Sequence, residues 1–135
     1  MGHGLSTRCK QCGREDTYML GVGMAYYCLD NVLNCLPPRN REKVRKILAK
    51  CEMGRTEYEH RLYTCPACFT LHDKFFVRIE YDAGKVFETS FRCGRCRRQL
   101  RPANGNDSGK IYLGPFLCKS CGQRALEETI GLNWD

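Results

Sequence analysis

Between residues 25 and 54 the apolar positions recur with helical spacing. In AYYCLDNVLNCL, Cys28, Val32, Cys35 and Leu36 repeat on one helical face, and Pro37-Pro38 ends the run. Asn40 is the expected cap of a second helix. Its Val44, Ile47, Leu48 and Cys51 fall at i, i+3, i+4 and i+7, with Gly54 just beyond as a stop signal. The two short helices should pack as a hairpin.

From Tyr58 the period shortens to two. FFVRIEY places Phe75, Val77, Ile79 and Tyr81 on one face and Phe76, Arg78 and Glu80 on the other. The turn DAGK returns the chain as KVFETSFRC, which predicts a β-hairpin over Lys74 to Arg92. Further on, RRQLRP reads as a short strand, NGNDSG as a polar loop, KIYLGPFLC as a returning strand and QRALEETI as about two helical turns.

Cysteine changes this picture. Eight of the 11 cysteines stand in C-x-x-C pairs: Cys9/Cys12, Cys65/Cys68, Cys93/Cys96 and Cys118/Cys121. Both thiolates of such a knuckle reach one ion from a single tight turn, so two knuckles complete a tetrahedral site and four make two sites. The expected cofactor is therefore two Zn2+, although iron satisfies the same sulfur geometry. A thioredoxin-like redox pair needs a βαβ unit that the pattern lacks, and disulfides suit a secreted chain, for which no apolar signal stretch is visible. The loop near Asn106 lies midway between Cys96 and Cys118. An antiparallel hairpin there would give Cys93/Cys96/Cys118/Cys121 as one site and leave Cys9/Cys12/Cys65/Cys68 as the other. The rival pairing joins Cys65/Cys68 to Cys93/Cys96 through the Lys74 to Arg92 hairpin.

The order CKQCG, YMLGVGMAYY, helical insert and YTCPAC resembles a group of bacterial zinc-ribbon (rubredoxin-like) proteins that share a C-x-x-C, LGxGM, helix, C-x-x-C arrangement. The resemblance implies metal and a ribbon with a helical insertion, and no particular reaction. Phe69 and Arg97 stand where that arrangement usually has glycine. The expected fold class is a small α+β metal-stapled protein, with two zinc-ribbon-like β units and a helical hairpin inserted in the first. Its division is a ribbon with inserted hairpin over 1–90 and a C-terminal ribbon with a short tail helix over 91–135.

Other residues have plainer readings. Cys28, Cys35 and Cys51 lie on apolar helical faces, where a thiol acts as a small hydrophobe. His3, His60 and His72 share no ligand spacing, and for His72, near the second knuckle, hydrogen bonding is the expected role. Gly21-Val22-Gly23 lacks the context of a phosphate loop and should serve as a turn into the helix. There is no Ser-His-Asp set and no HExxH motif, Glu57, Glu59, Glu127 and Glu128 read as solvated carboxylates, and four thiolates close a zinc shell. A non-enzymatic, cytoplasmic protein that does not meet a membrane is expected.

Charge supplies the remaining signal. The formal net charge is +7, and two Zn(Cys)4 sites at about −2 each would lower it to about +3. Residues 91–103 nevertheless carry Arg92, Arg95, Arg97, Arg98 and Arg101 with no acid. Phe91, Tyr112 and Phe116 lie near enough to offer stacking surfaces. Nucleic-acid binding through this ribbon is the expected function. A protein–protein adaptor is the alternative, and a rubredoxin-like iron electron carrier the second alternative.

Overall fold

The computed structural model describes residues 2–22, 29–103, 113–129 and 133–134, with the side chains of Leu29, Asn133 and Trp134 excepted. Cys28, Tyr112, Gly23 and the NGNDSG loop fall outside the described residues.

The chain opens with strands β1 (Gly2–Cys9) and β2 (Glu15–Gly21), then helices α1 (Leu29–Leu33) and α2 (Pro38–Lys50). Strands β3 (Met53–Thr64), β4 (Leu71–Tyr81), β5 (Lys85–Glu88), β6 (Arg101–Pro102), β7 (Leu126–Glu128) and β8 (Asn133–Trp134) follow. Among the described residues these form one eight-stranded sheet, ordered β5-β4-β3-β2-β1-β7, with β6 on β3 and β8 on β1. All its pairings are antiparallel. The protein is thus mostly antiparallel sheet with few helices. The boundary drawn at residue 90 is crossed by β6 on β3 and by β7 on β1.

The two helices lie on the sheet face formed by Phe75, Val77 and Ile79. Val32, Val44, Val77 and Ile79 are fully buried there; a buried Val or Ile side chain stabilises by about 1.5–3 kcal/mol relative to an exposed one. Cys35 and Cys51 pack against the same cluster, as their helical spacing predicts. The opposite face of β4 is less polar than its alternation suggests: Phe76 is buried, and the Arg61 guanidinium sits 3.7 Å from its ring centroid.

Helix ends depart from expectation. α2 begins at Pro38, whose missing N–H costs nothing in a first turn, and Pro37 rather than Asn40 occupies the cap position, without a side-chain cap bond. Arg41 stabilises α1 instead. Its Nε and Nη2 donate to the carbonyls of Leu33 (3.0 Å) and Leu36 (3.1 Å), satisfying acceptors at the C-terminal end of α1. Gly54 does not end α2. It lies in β3, where a Cβ would stand 3.0 Å from the Glu80 carbonyl oxygen.

Two further expectations fail. The tail segment is strand β7, not a helix, because the outer edge of β1 takes Leu126, Glu127 and Glu128 opposite Cys9, Arg8 and Thr7; edge pairing overrides a modest helix propensity. Residues 113–118 of the expected returning strand form no ladder. Gly114-Pro115 makes a turn, with Phe116 N–H bonded to Leu113 C=O at 3.1 Å, and proline cannot donate to a sheet.

Candidate metal centres and the arginine cleft

Each C-x-x-C caps a chain reversal, and the four reversals share one backbone plan. The carbonyls of Cys9, Cys65, Cys93 and Cys118 accept from the N–H groups of Gly13, Phe69, Arg97 and Gly122 at 2.8–2.9 Å. The N–H groups of the same cysteines donate to Arg14, Thr70, Arg98 and Gln123 at 2.9–3.2 Å. Closing so tight a loop puts the residue after each second cysteine in the left-handed region: Gly13 at φ +77°, Phe69 at +55°, Arg97 at +57° and Gly122 at +71°. Two knuckles therefore carry glycine where the backbone asks for it, and two do not.

Strand pairing then decides which knuckles meet. β6 lies along the end of β3, with Tyr63 opposite Pro102 and Thr64 opposite Arg101, which brings the third knuckle beside the second. β7 places Leu126 opposite Cys9, and Lys10 N–H bonds to Ala125 C=O at 2.8 Å, which brings the fourth beside the first. The groups are Cys9/Cys12/Cys118/Cys121 and Cys65/Cys68/Cys93/Cys96, each with its sulfurs within 4.8 Å of one another. Pairing of successive knuckles is thus corrected to a nested arrangement: the third and fourth do not share a site, and neither do the first and second.

The sulfur geometry suits a tetrahedral ion. Cys9 and Cys121 sulfurs are 3.5 Å apart, Cys12 and Cys118 3.6 Å, and Cys68 and Cys93 3.8 Å. A tetrahedron with metal–sulfur bonds of about 2.3 Å has edges of about 3.8 Å, whereas a disulfide needs about 2.05 Å. The cysteines among the described residues are free thiols. Both groups can hold a metal ion.

Their electrostatics prepare them for one. Burial opposes ionisation of Cys68, but the Thr70 hydroxyl and backbone N–H outweigh it and hold its thiol down at about 6. Cys96 is pushed up to about 12, first by its hydrogen bond to Cys68 and then by burial. The other group repeats this split. Burial raises Cys118, yet the N–H groups of Cys121 and Ser120 bring it down to about 7. Gln123 N–H favours the Cys121 thiolate, but burial and hydrogen bonds to Cys9, Cys12 and Cys118 push it up to about 12. Without a cation, one thiolate keeps its neighbours protonated; a bound ion displaces those protons.

Thr70, which the sequence reading missed, and His72 extend the second centre. Thr70 Oγ1 is 3.2 Å from Cys68 Sγ and 2.8 Å from His72 Nε2. A Cys68 thiolate can only accept, so the hydroxyl donates to sulfur and accepts from Nε2–H. Burial, reinforced by Lys119 and Lys74, lowers His72 to about 4, which keeps the ring neutral. The hydrogen-bonding role expected of His72 is therefore the observed one. Residues 68, 70 and 72 share an i, i+2, i+4 spacing, the only sequence signal that could have linked them. At the first centre Arg14 spans both knuckles, bonding Asp16 at 2.9 Å and Ser120 Oγ at 2.8 Å. The centres adjoin, since Leu117 N–H donates to Phe69 C=O at 2.9 Å and Arg95 reaches the Lys119 carbonyl at 3.3 Å.

The five arginines divide. Arg92, Arg97, Arg98 and Arg101, all exposed, line one open cleft of about 590 Å³ with Pro66 and Pro102. Arg95 lies outside that lining and reaches across to the fourth knuckle. Among the described residues none of the five pairs with a carboxylate. The expected stacking surfaces are mostly spent on the fold: Phe116 is buried and Phe91 meets Tyr63 edge-on at 5.6 Å.

Compared with family models, curated proteins and solved structures, the chain matches none. Among the described residues no helix is long and apolar enough to cross a membrane.

Proposed function

We propose that this protein is a nucleic-acid-binding module stapled by two structural zinc ions, with Arg92, Arg97, Arg98 and Arg101 taking backbone phosphates. The observation that carries the reading is the gathering of four exposed arginines around one cleft whose lining contains no acid. Neutralising buried thiolate clusters would not require guanidinium groups to face solvent without carboxylate partners. Zinc fits the two four-sulfur groups, and closed shells of four thiolates suit a structural rather than catalytic role. Such sites supply about 10–16 kcal/mol of apparent binding energy, enough to hold a sheet whose strands β6, β7 and β8 are only two or three residues long.

The test is salt-dependent binding of metal-loaded protein. About three phosphates contacted at a slope near −0.7 each predict a roughly twentyfold loss of affinity for single strands between 50 and 200 mM salt. Arg98→Glu with Arg101→Glu should flatten that slope while elemental analysis still finds two zinc ions per chain. If the wild type shows no salt-sensitive binding and the reversal instead loosens zinc, the arginines balance thiolate charge and the proposal fails. Iron in place of zinc would leave the cleft reading intact and shift the metal assignment.

A further inference from the structure

We infer that the two metal centres load cooperatively, because two hydrogen bonds join residues flanking the ligands of one centre to residues flanking the ligands of the other, with Arg95 as the positioning side chain. This rests on the metal assignment above and is independent of the nucleic-acid reading. Leu117, directly before Cys118, donates its N–H to the carbonyl of Phe69, directly after Cys68, at 2.9 Å. Arg95, directly before Cys96, donates from Nη2 to the carbonyl of Lys119, directly after Cys118, at 3.3 Å. The fourth knuckle is thus tied to both knuckles of the Cys65/Cys68/Cys93/Cys96 centre as well as to its own partner, the first.

Both ties depend on the Cys65/Cys68/Cys93/Cys96 centre being closed. Phe69 sits at φ +55°, in the left-handed region that an L-residue leaves unless something holds it there. What holds it is the tight turn in which its N–H bonds the Cys65 carbonyl at 2.9 Å. Arg97 closes the third knuckle under the same strain, at φ +57°. An ion on the four sulfurs offsets that cost. Once the ion leaves, the two strained turns relax, and the acceptor for Leu117 and the donor from Arg95 withdraw from the fourth knuckle. Linkage makes the dependence reciprocal: the factor by which one ion raises the affinity for the other is returned in full.

Shortening of the chain contributes less than the bonds. Cys12 and Cys118 lie 106 residues apart, and closing the other centre removes the 25 between Cys68 and Cys93 from that loop, a gain of about 1.5-fold. A hydrogen bond contributes roughly two- to twelvefold. About fivefold for the Leu117 bond and about threefold for the longer, exposed Arg95 bond then give a coupling of about twentyfold.

Competition for zinc between the full chain and a chromogenic chelator measures this coupling. Cys68→Ser with Cys93→Ser isolates the Cys9/Cys12/Cys118/Cys121 centre, and Cys12→Ser with Cys121→Ser isolates the other. The overall two-ion constant of the wild type should exceed the product of the two single-centre constants by about twentyfold. Arg95→Met keeps the apolar stem and removes the donor. It should lower that excess to about sevenfold while both single-centre constants stay unchanged, a non-additivity that a residue merely supporting the fold would not produce. A wild-type excess no larger than the loop effect overturns the coupling. An excess untouched by Arg95→Met, or a loss that falls on the single-centre constants instead, overturns the part assigned to Arg95. Fewer than two ions bound by the wild type overturns the metal assignment and the coupling with it.

Discussion

The residue after each second cysteine offers a measurable consequence of the knuckle geometry. Replacing Gly13 or Gly122 with alanine adds a Cβ that meets nothing within 4 Å, so the only penalty is the left-handed backbone at φ +77° and +71°. That conformation costs an L-residue about 1–2 kcal/mol, offset by about 0.4–1 kcal/mol because alanine restricts the unfolded chain. The net loss should be near 1 kcal/mol per site. At about 2.1 cal/mol/K per residue of unfolding entropy, 135 residues turn this into a fall of 3–4 °C in Tm. Both glycines belong to the Cys9/Cys12/Cys118/Cys121 centre, whereas Phe69 and Arg97 serve the other. Arg97→Gly should therefore be neutral to stabilising by up to about 1 kcal/mol. Urea unfolding at fixed free zinc, with chelator competition to report each centre, reads both effects. If Gly13→Ala and Gly122→Ala both stay within about 0.5 kcal/mol, the range of ordinary surface changes, the left-handed requirement is refuted.

Other expectations follow from the same geometry. Cys12→Ser and Cys121→Ser should cost the same ion, so their combination still leaves one metal under chelator competition, whereas Cys12→Ser with Cys68→Ser leaves none; native mass spectrometry counts the ions, and the opposite pattern would restore sequential pairing. His72, lowered to about 4 from 6.5, should stay neutral with its proton on Nε2 in NMR spectra near pH 6. The sign is that of a basic group protonated more readily when unfolded: its stabilisation is complete above pH 6.5 and is lost as pH falls towards 4. A midpoint at or above 6.5 would contradict its burial against Lys119 and Lys74. Cys35→Ala with Cys51→Ala should lower stability, read by urea unfolding, and leave two metals bound, because both thiols pack against the helix–sheet core; loss of an ion would make one of them a ligand.

What could be read in advance follows the range over which each feature is decided. The C-x-x-C turns and the buried face of β4 are properties of a few adjacent residues, and both appear as expected. Partner choice between knuckles is not local. Sequential pairing would close the gaps 12 to 65 and 96 to 118; the nested arrangement closes 68 to 93 and 12 to 118. Loop-closure entropy grows as (3/2)RT ln n, so the nested set costs less than about 1 kcal/mol more. Nearness in sequence is thus a weak guide, and a handful of edge hydrogen bonds outweighs it. Those bonds come from β6 and β7, two and three residues long, too short to carry a periodic signature. Gly114-Pro115 removes the ladder that the symmetric loop around residue 106 implied, and the free edge of β1 claims the tail as β7 rather than leaving it helical. The arginines follow the same rule. Their clustering is visible in the string, but the separation of Arg95 from the other four arises only when the nested centres set the fourth knuckle beside the third and Arg95 reaches the Lys119 carbonyl. A cleft of four arginines rather than a patch of five is therefore a product of the nested knuckle pairing, and disrupting either centre should disturb that cleft before it unfolds the helix–sheet core.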